Sequence, residues 1–126
     1  AKTPTVTAPS HVIPLKQENI DVVKRALVDV TRTGTARRAF ANAPYQAAGK
    51  TGTAQVFSLR GAKYNASTID ERLRDHALFM AYAPADNPKI AVGLIVENAG
   101  WGATVAAPVA RSVFDYWLIE RGNLLQ

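Results

Sequence analysis

Two apolar runs, His76–Ala83 and Lys89–Val96, flank the segment Pro84-Ala85-Asp86-Asn87-Pro88. This arrangement constrains the fold more than anything else in the chain. Each run has strand length, and the spacer is rich in proline and Asx residues, so the pair reads as a β-hairpin. Neither run alternates polar and apolar side chains. A sheet built from them is therefore expected to carry helices on both faces.

Two helical patterns can supply that cover. From Gln17 to about Arg32, Ile20, Val23, Leu27 and Val30 recur at helical spacing, and Gly34 follows as a stop. From about Thr104 to Glu120, Val105, Val109, Val113, Phe114, Trp117 and Leu118 do the same, with Pro108 near the start and Gly122 at the end. Phe114 and Trp117 read as core residues. Ala36–Ala41 reads as one short helical piece, ended by Asn42-Ala43-Pro44. Gln46–Phe57 reads as a strand. Residues 1–15 read as extended, and 58–70 as a mobile polar loop that contains Asn65-Ala66-Ser67, formally a glycosylation signal but in this chain a chance match. The order helix, strand, hairpin, helix predicts an α+β fold: an antiparallel β-sheet flanked by helices.

Composition excludes several kinds of chemistry. The chain has 126 residues, one domain or part of one, and 48% of them are hydrophobic, which is a globular balance. It has no cysteine, so disulfides, thiol catalysis and cysteine-built zinc sites are ruled out. Its two histidines, His11 and His76, are too few for a histidine metal site, so neither metal nor cofactor is expected. Neither a membrane span nor a signal peptide is visible, so targeting lies elsewhere or the protein is cytosolic. The net charge of +5 is densest at Arg32, Arg37 and Arg38. That cluster is either a solvated face or an anion-binding patch, and it has no interleaved aromatic residues of the kind a nucleic-acid platform uses.

The chemistry-bearing motif is Lys50-Thr51-Gly52-Thr53. It is not a phosphate loop: that motif needs a glycine five positions before Gly49, where Pro44 stands, and a helix where a strand-like run follows. Along a strand it makes a surface suited to a carboxylate. Lys50 brings positive charge, Gly52 removes a side chain where a ligand backbone approaches, and the Thr51 and Thr53 hydroxyls project to one side. The Thr53 N–H can contribute to an oxyanion hole. No nucleophile accompanies them. Ser10, Ser58, Ser67 and Ser112 carry neither a lysine three residues on nor a Gly-x-Ser-x-Gly elbow. Asp75-His76 reads as a hydrogen-bonded strand start rather than part of a triad. Trp101, in the glycine-rich loop Asn98–Gly102, reads either as the wall of a binding cleft or as packing over the last helix.

Several runs together resemble the penicillin-binding proteins, in particular the class B transpeptidases of cell elongation. They are Lys50-Thr51-Gly52-Thr53-Ala54-Gln55, Glu71-Arg72-Leu73-Arg74-Asp75-His76, Ala83-Pro84 and Val96-Glu97-Asn98. The likeness extends from Gln17 to near Arg121. It implies peptidoglycan cross-linking, in which a serine attacks the D-Ala-D-Ala end of a stem peptide and an amine resolves the acyl-enzyme. β-Lactams acylate the same serine. By resemblance Lys50 orders the site, Thr51, Gly52 and Thr53 bind the carboxylate, and the Thr53 N–H completes the oxyanion hole. Of the three cleft motifs only the third is in this chain, so the serine is expected outside it.

The resemblance further implies that residues 1–126 are the C-terminal portion of an incomplete transpeptidase domain, three strands plus helices. The motif strand would lie at the sheet edge, and the Lys89–Val96 strand would pair with earlier parts of the domain. Expected partners are the stem peptide, β-lactams, the rest of the domain and membrane proteins of the elongation machinery, and no nucleic acid. The expected location is the periplasmic face of the bacterial inner membrane, with the anchor outside this chain. The rival readings are a segment of a serine β-lactamase or D,D-carboxypeptidase of the same fold, and a non-enzymatic anion-binding module built on the arginines.

Overall fold

The computed structural model describes residues 11–56, 65 and 68–122. Most of the 58–70 loop, including Ser67 of the glycosylation signal, lies outside the described residues, as does the stretch before residue 11. The elements run α1 (Gln17–Arg32), β1 (Ala48–Ala54), a 3-10 turn (Glu71–Leu73), β2 (His76–Ala83), β3 (Ile90–Val96) and α2 (Ala106–Asp115). The three strands form one antiparallel sheet in the order β1-β2-β3, so the hairpin is β2–β3 and the motif strand lies at one edge.

Strand register sorts the side chains into two faces. Thr51 and Thr53 pair with Phe79 and Ala77, and Phe79 pairs onward with Leu94. This face holds the core. Ala77, Phe79, Ala81 and Ala83 are buried beneath Phe40, Tyr45, Phe114 and Leu118. Phe40 sits 6.0 Å from Phe79 and 6.2 Å from Phe114, ring centre to ring centre, and Tyr45 meets Phe114 edge-on at 6.3 Å. Such pairs add attraction beyond the area they bury. Gly49 is needed at its position, because a Cβ would stand 2.8 Å from the Phe79 ring.

The opposite face differs from expectation. Lys50, Gly52, Leu78, Met80, Gly93 and Ile95 share it by register, yet Met80 is 61% and Ile95 53% exposed. Among the described residues nothing lies within 4 Å of where a Gly93 Cβ would be. Among the described residues, then, only one face is fully covered. The unbroken apolar runs led to the expectation of helices on both faces, which these residues do not meet. They carried no information on whether the covering group lies within this stretch of chain.

The helices also depart from their patterns. In α1 burial is greatest in the C-terminal half: Leu27, Val28 and Val30 are half-buried and Thr31 is buried, whereas in the first half Ile20 is half-buried and Val23 is exposed. The second helix starts at Ala106, after a turn in which the Thr104 and Val105 N–H groups donate to Trp101 O, and after Asp115 it widens into a π-helical turn, Tyr116–Glu120. Its buried side is Ala106, Ala107, Ala110, Phe114 and Leu118. Val109, Val113 and Trp117 face outward, so Trp117, at 40% exposure, is not the core residue its spacing suggested. Alanine permits close approach of helix to sheet, and that favours the small side over the bulkier valines. The Ala36–Ala41 stretch forms hydrogen-bonded turns rather than a helix, and of the strand read over Gln46–Phe57 the described residues form one over Ala48–Ala54, Phe57 lying outside them.

Candidate functional site

The motif occupies an edge strand, so one side of the β1 backbone bonds to β2 and the other meets no strand among the described residues. Edge strands leave alternate N–H and C=O groups open to a ligand. The Thr51 and Thr53 side chains share a side, as a strand period of two requires. Thr53 is exposed and Thr51 half-buried. Lys50 roots on the other side, opposite Met80, and its ammonium curls back along the strand to donate to Thr51 O at 2.8 Å. Lysine and hydroxyls therefore root on opposite faces of the strand, and the ammonium reaches the Thr51 carbonyl. Gly52 has a structural reason of its own: a Cβ there would press on the Leu78 Cβ at 3.2 Å. One neighbour of the motif was not foreseen from sequence. The Thr35 hydroxyl, on the turn after α1, lies 3.3 Å from the Thr51 hydroxyl.

A second element braces the strand from the loop after β3. A Cβ at Gly102 would overlap Leu78 O and stand 2.6 Å from Gly52 O, so the Gly102 backbone lies directly against the motif. Asn98 holds this loop in place. Its backbone N–H donates to His76 Nδ1 at 2.9 Å, and its side-chain amide donates to Arg72 O at 2.8 Å and Arg74 O at 3.1 Å. Asn98 does this with φ 52, a left-handed backbone that asparagine tolerates well. The Gly100 N–H donates to Asp75 O at 2.8 Å. Asp75-His76 is thus a hydrogen-bonded strand start. Trp101 is 64% exposed, so it is not buried over the last helix as a packing residue would be. The roles of Thr35, Asn98 and Gly102 depend on contacts between distant segments, and only the glycine-rich composition of the loop hinted at them.

Away from the motif, Tyr45 donates to Asp115 Oδ1 at 2.6 Å, and Arg111 Nε contacts both Asp115 oxygens at 2.7 Å. Arg111 Nη1 also donates to Ala41 O at 3.1 Å. The network ties the segment before β1 to α2. Burial, then the bond to Asp115, pushes the Tyr45 phenol above its ordinary value.

Open spaces border the sheet among the described residues. An apolar groove of about 560 Å³ runs over the uncovered face, lined by Lys50, Gly52, Leu78, Met80 and Ile95. A larger cleft of about 960 Å³ between α1 and the β2–β3 turn includes Arg32 but no motif residue. Among the described residues no group of three or more His, Cys, Asp or Glu could hold a metal, and no helix is long and apolar enough to cross a membrane.

Comparison with known proteins bears on this geometry. The penicillin binding protein transpeptidase domain family matches residues 3–115. The chain is 53% identical over 104 residues to the peptidoglycan D,D-transpeptidase MrdA of Haemophilus influenzae, an overlap of 80% of this chain and 16% of that protein. It therefore spans about a sixth of the length of this curated relative. Among solved structures, Pseudomonas aeruginosa PBP2 in complex with WCK 5153 matches with a TM-score of 0.73 at 41% identity, over 92% of this chain and 23% of that one. Penicillin-binding protein A of Mycobacterium tuberculosis, as an imipenem acyl-enzyme complex, matches with a TM-score of 0.58 at 30% identity, over 82% of this chain and 20% of that one. An antiparallel sheet with helices, a Lys-Thr-Gly-Thr motif on its edge strand and a family match over nearly the whole length lead to one assignment: the chain belongs to the penicillin-binding protein transpeptidase domain family.

Proposed function

We propose that this chain is the carboxylate-gripping and oxyanion-forming segment of a peptidoglycan D,D-transpeptidase, and that the nucleophilic serine lies outside residues 1–126. The observation that carries this reading is the pair of hydroxyls, Thr51 and Thr53, on one side of an edge strand with Lys50 wrapped along it. Two hydroxyl donors and a nearby cation suit a carboxylate, whether of the donor stem peptide or of a β-lactam. The Thr53 N–H would stabilise the oxyanion that forms when the serine attacks, and an acceptor amine would resolve the acyl-enzyme. Trp101 would wall the cleft.

In this reading the chain is part of a larger domain. The apolar face around Met80 and Ile95, and the outer edge of β3, are where the remainder would pack. Peptidoglycan synthesis, partners in the elongation machinery and a position at the periplasmic face of the inner membrane belong to the whole protein. Intact-mass measurement after penicillin treatment tests the division of labour. The isolated 126 residues should gain no adduct, and the whole protein should gain one on a serine outside them. An adduct on the isolated chain would overturn the roles of Lys50, Thr51 and Thr53 as accessories to a distant nucleophile. Steady β-lactam turnover by the whole protein would move it to the serine β-lactamases or D,D-carboxypeptidases.

A further inference from the structure

We infer that Thr35 is a positioning residue of the anion grip, setting the Thr51 hydroxyl as a donor toward the substrate carboxylate; this rests on the proposed transpeptidase function. Thr35 reaches the motif through a fixed connection. The Thr33 and Gly34 N–H groups donate to Asp29 O at 3.0 and 2.7 Å, and the Ala36 N–H donates to Val30 O at 2.9 Å. A Cβ at Gly34 would stand 2.9 Å from Val30 Cα, so the chain folds back this tightly only with glycine there. Ala36, the next residue after Thr35, is fully buried. The end of α1 is in turn tied to the start of the motif strand, because Thr31 Oγ1 donates to Ala47 O at 2.6 Å. Thr35 is exposed, yet its backbone is held on both sides, and its hydroxyl stands 3.3 Å from that of Thr51.

The consequence follows from what a hydroxyl can do. Each has one proton to donate and two lone pairs to accept with. The pair has two arrangements. With Thr51 donating to Thr35, its proton is withheld from a ligand. With Thr35 donating to Thr51, the Thr51 proton is free to point at an anion. A carboxylate selects the second arrangement, since a bond to a charged acceptor is the stronger one and each bond in the relay polarises the next. Thr35 thus acts through Thr51 without touching the substrate, and it should matter only for ligands that carry the charge.

The test uses the full-length transpeptidase and measures the second-order rate of acylation by benzylpenicillin and by its uncharged methyl ester. Thr35→Val, which keeps the shape and removes the hydroxyl, should slow acylation by benzylpenicillin about fivefold, the effect of one ordinary hydrogen bond. It should leave the methyl ester rate unchanged, and Thr35→Ser should restore the benzylpenicillin rate. Equal slowing of acid and ester would mark a structural role and overturn the inference, as would a Thr35→Val enzyme indistinguishable from wild type. Thr51→Val separates the two levels. If it slows benzylpenicillin while Thr35→Val does not, the Thr35 inference fails and the carboxylate grip stands. If neither variant slows it, the grip fails and takes the inference with it.

Discussion

Gly102 shows how one residue can link separate parts of the sheet. Its backbone lies against Gly52 and Leu78, with no room for a Cβ. Gly102→Ala should therefore destabilise the protein by about 2 kcal/mol, the usual scale of overpacking, and slow β-lactam acylation of the whole protein by shifting the motif strand. Chemical denaturation and acylation kinetics measure the two effects. Tyr45 shows a different dependence. Its phenol titrates above the ordinary value of 10.0 because burial and the Asp115 bond favour the protonated form. A raised pKa means that the stabilisation is fully present below about pH 10 and is lost as pH rises beyond it. Tyr45→Phe should cost about 1 kcal/mol at neutral pH. The gap from wild type should narrow in denaturation curves taken above about pH 10. The motif's lysine, glycine and threonines were legible from sequence because a strand period of two is local. Thr35 was not, since nothing in the chain marks a residue 16 positions upstream as a neighbour of Thr51.

At the level of elements, periodicity located α2 and two of its core residues, Phe114 and Leu118, but also counted Val109, Val113 and Trp117, which face outward. Valine and alanine both count as apolar, so the pattern cannot say which stripe meets the sheet. Close approach decides that, and Ala107, Ala110 and Phe114 are the stripe that fits. Phe114→Ala should cost about 3–5 kcal/mol, because it empties the space between Phe40 and Tyr45. Val113→Ala, one position away on the outer side, should stay within about 0.5 kcal/mol. Thermal or urea unfolding of the two variants distinguishes the stripes. The hairpin was legible in full, since two strand-length apolar runs around a double-proline turn leave few alternatives. The expected helical cover on both faces is not found among the described residues, because an apolar run states a need for burial and says nothing of what meets it.

For the whole molecule, Met80 and Ile95 expose an apolar face, and the outer edge of β3 meets no strand among the described residues. Such surfaces drive self-association when uncovered. The isolated 126 residues should associate, and Ile95→Lys should reduce that association, as read by light scattering at matched concentration. The sequence by itself determined the family, the order of elements and the motif strand, since these rest on local periodicity and on runs of specific residues. Only the tertiary structure decided which helical stripe is buried, that Gly102 braces Gly52, and that Thr35 stands beside Thr51. Each of those depends on how closely two distant backbones approach, a distance that no local pattern encodes.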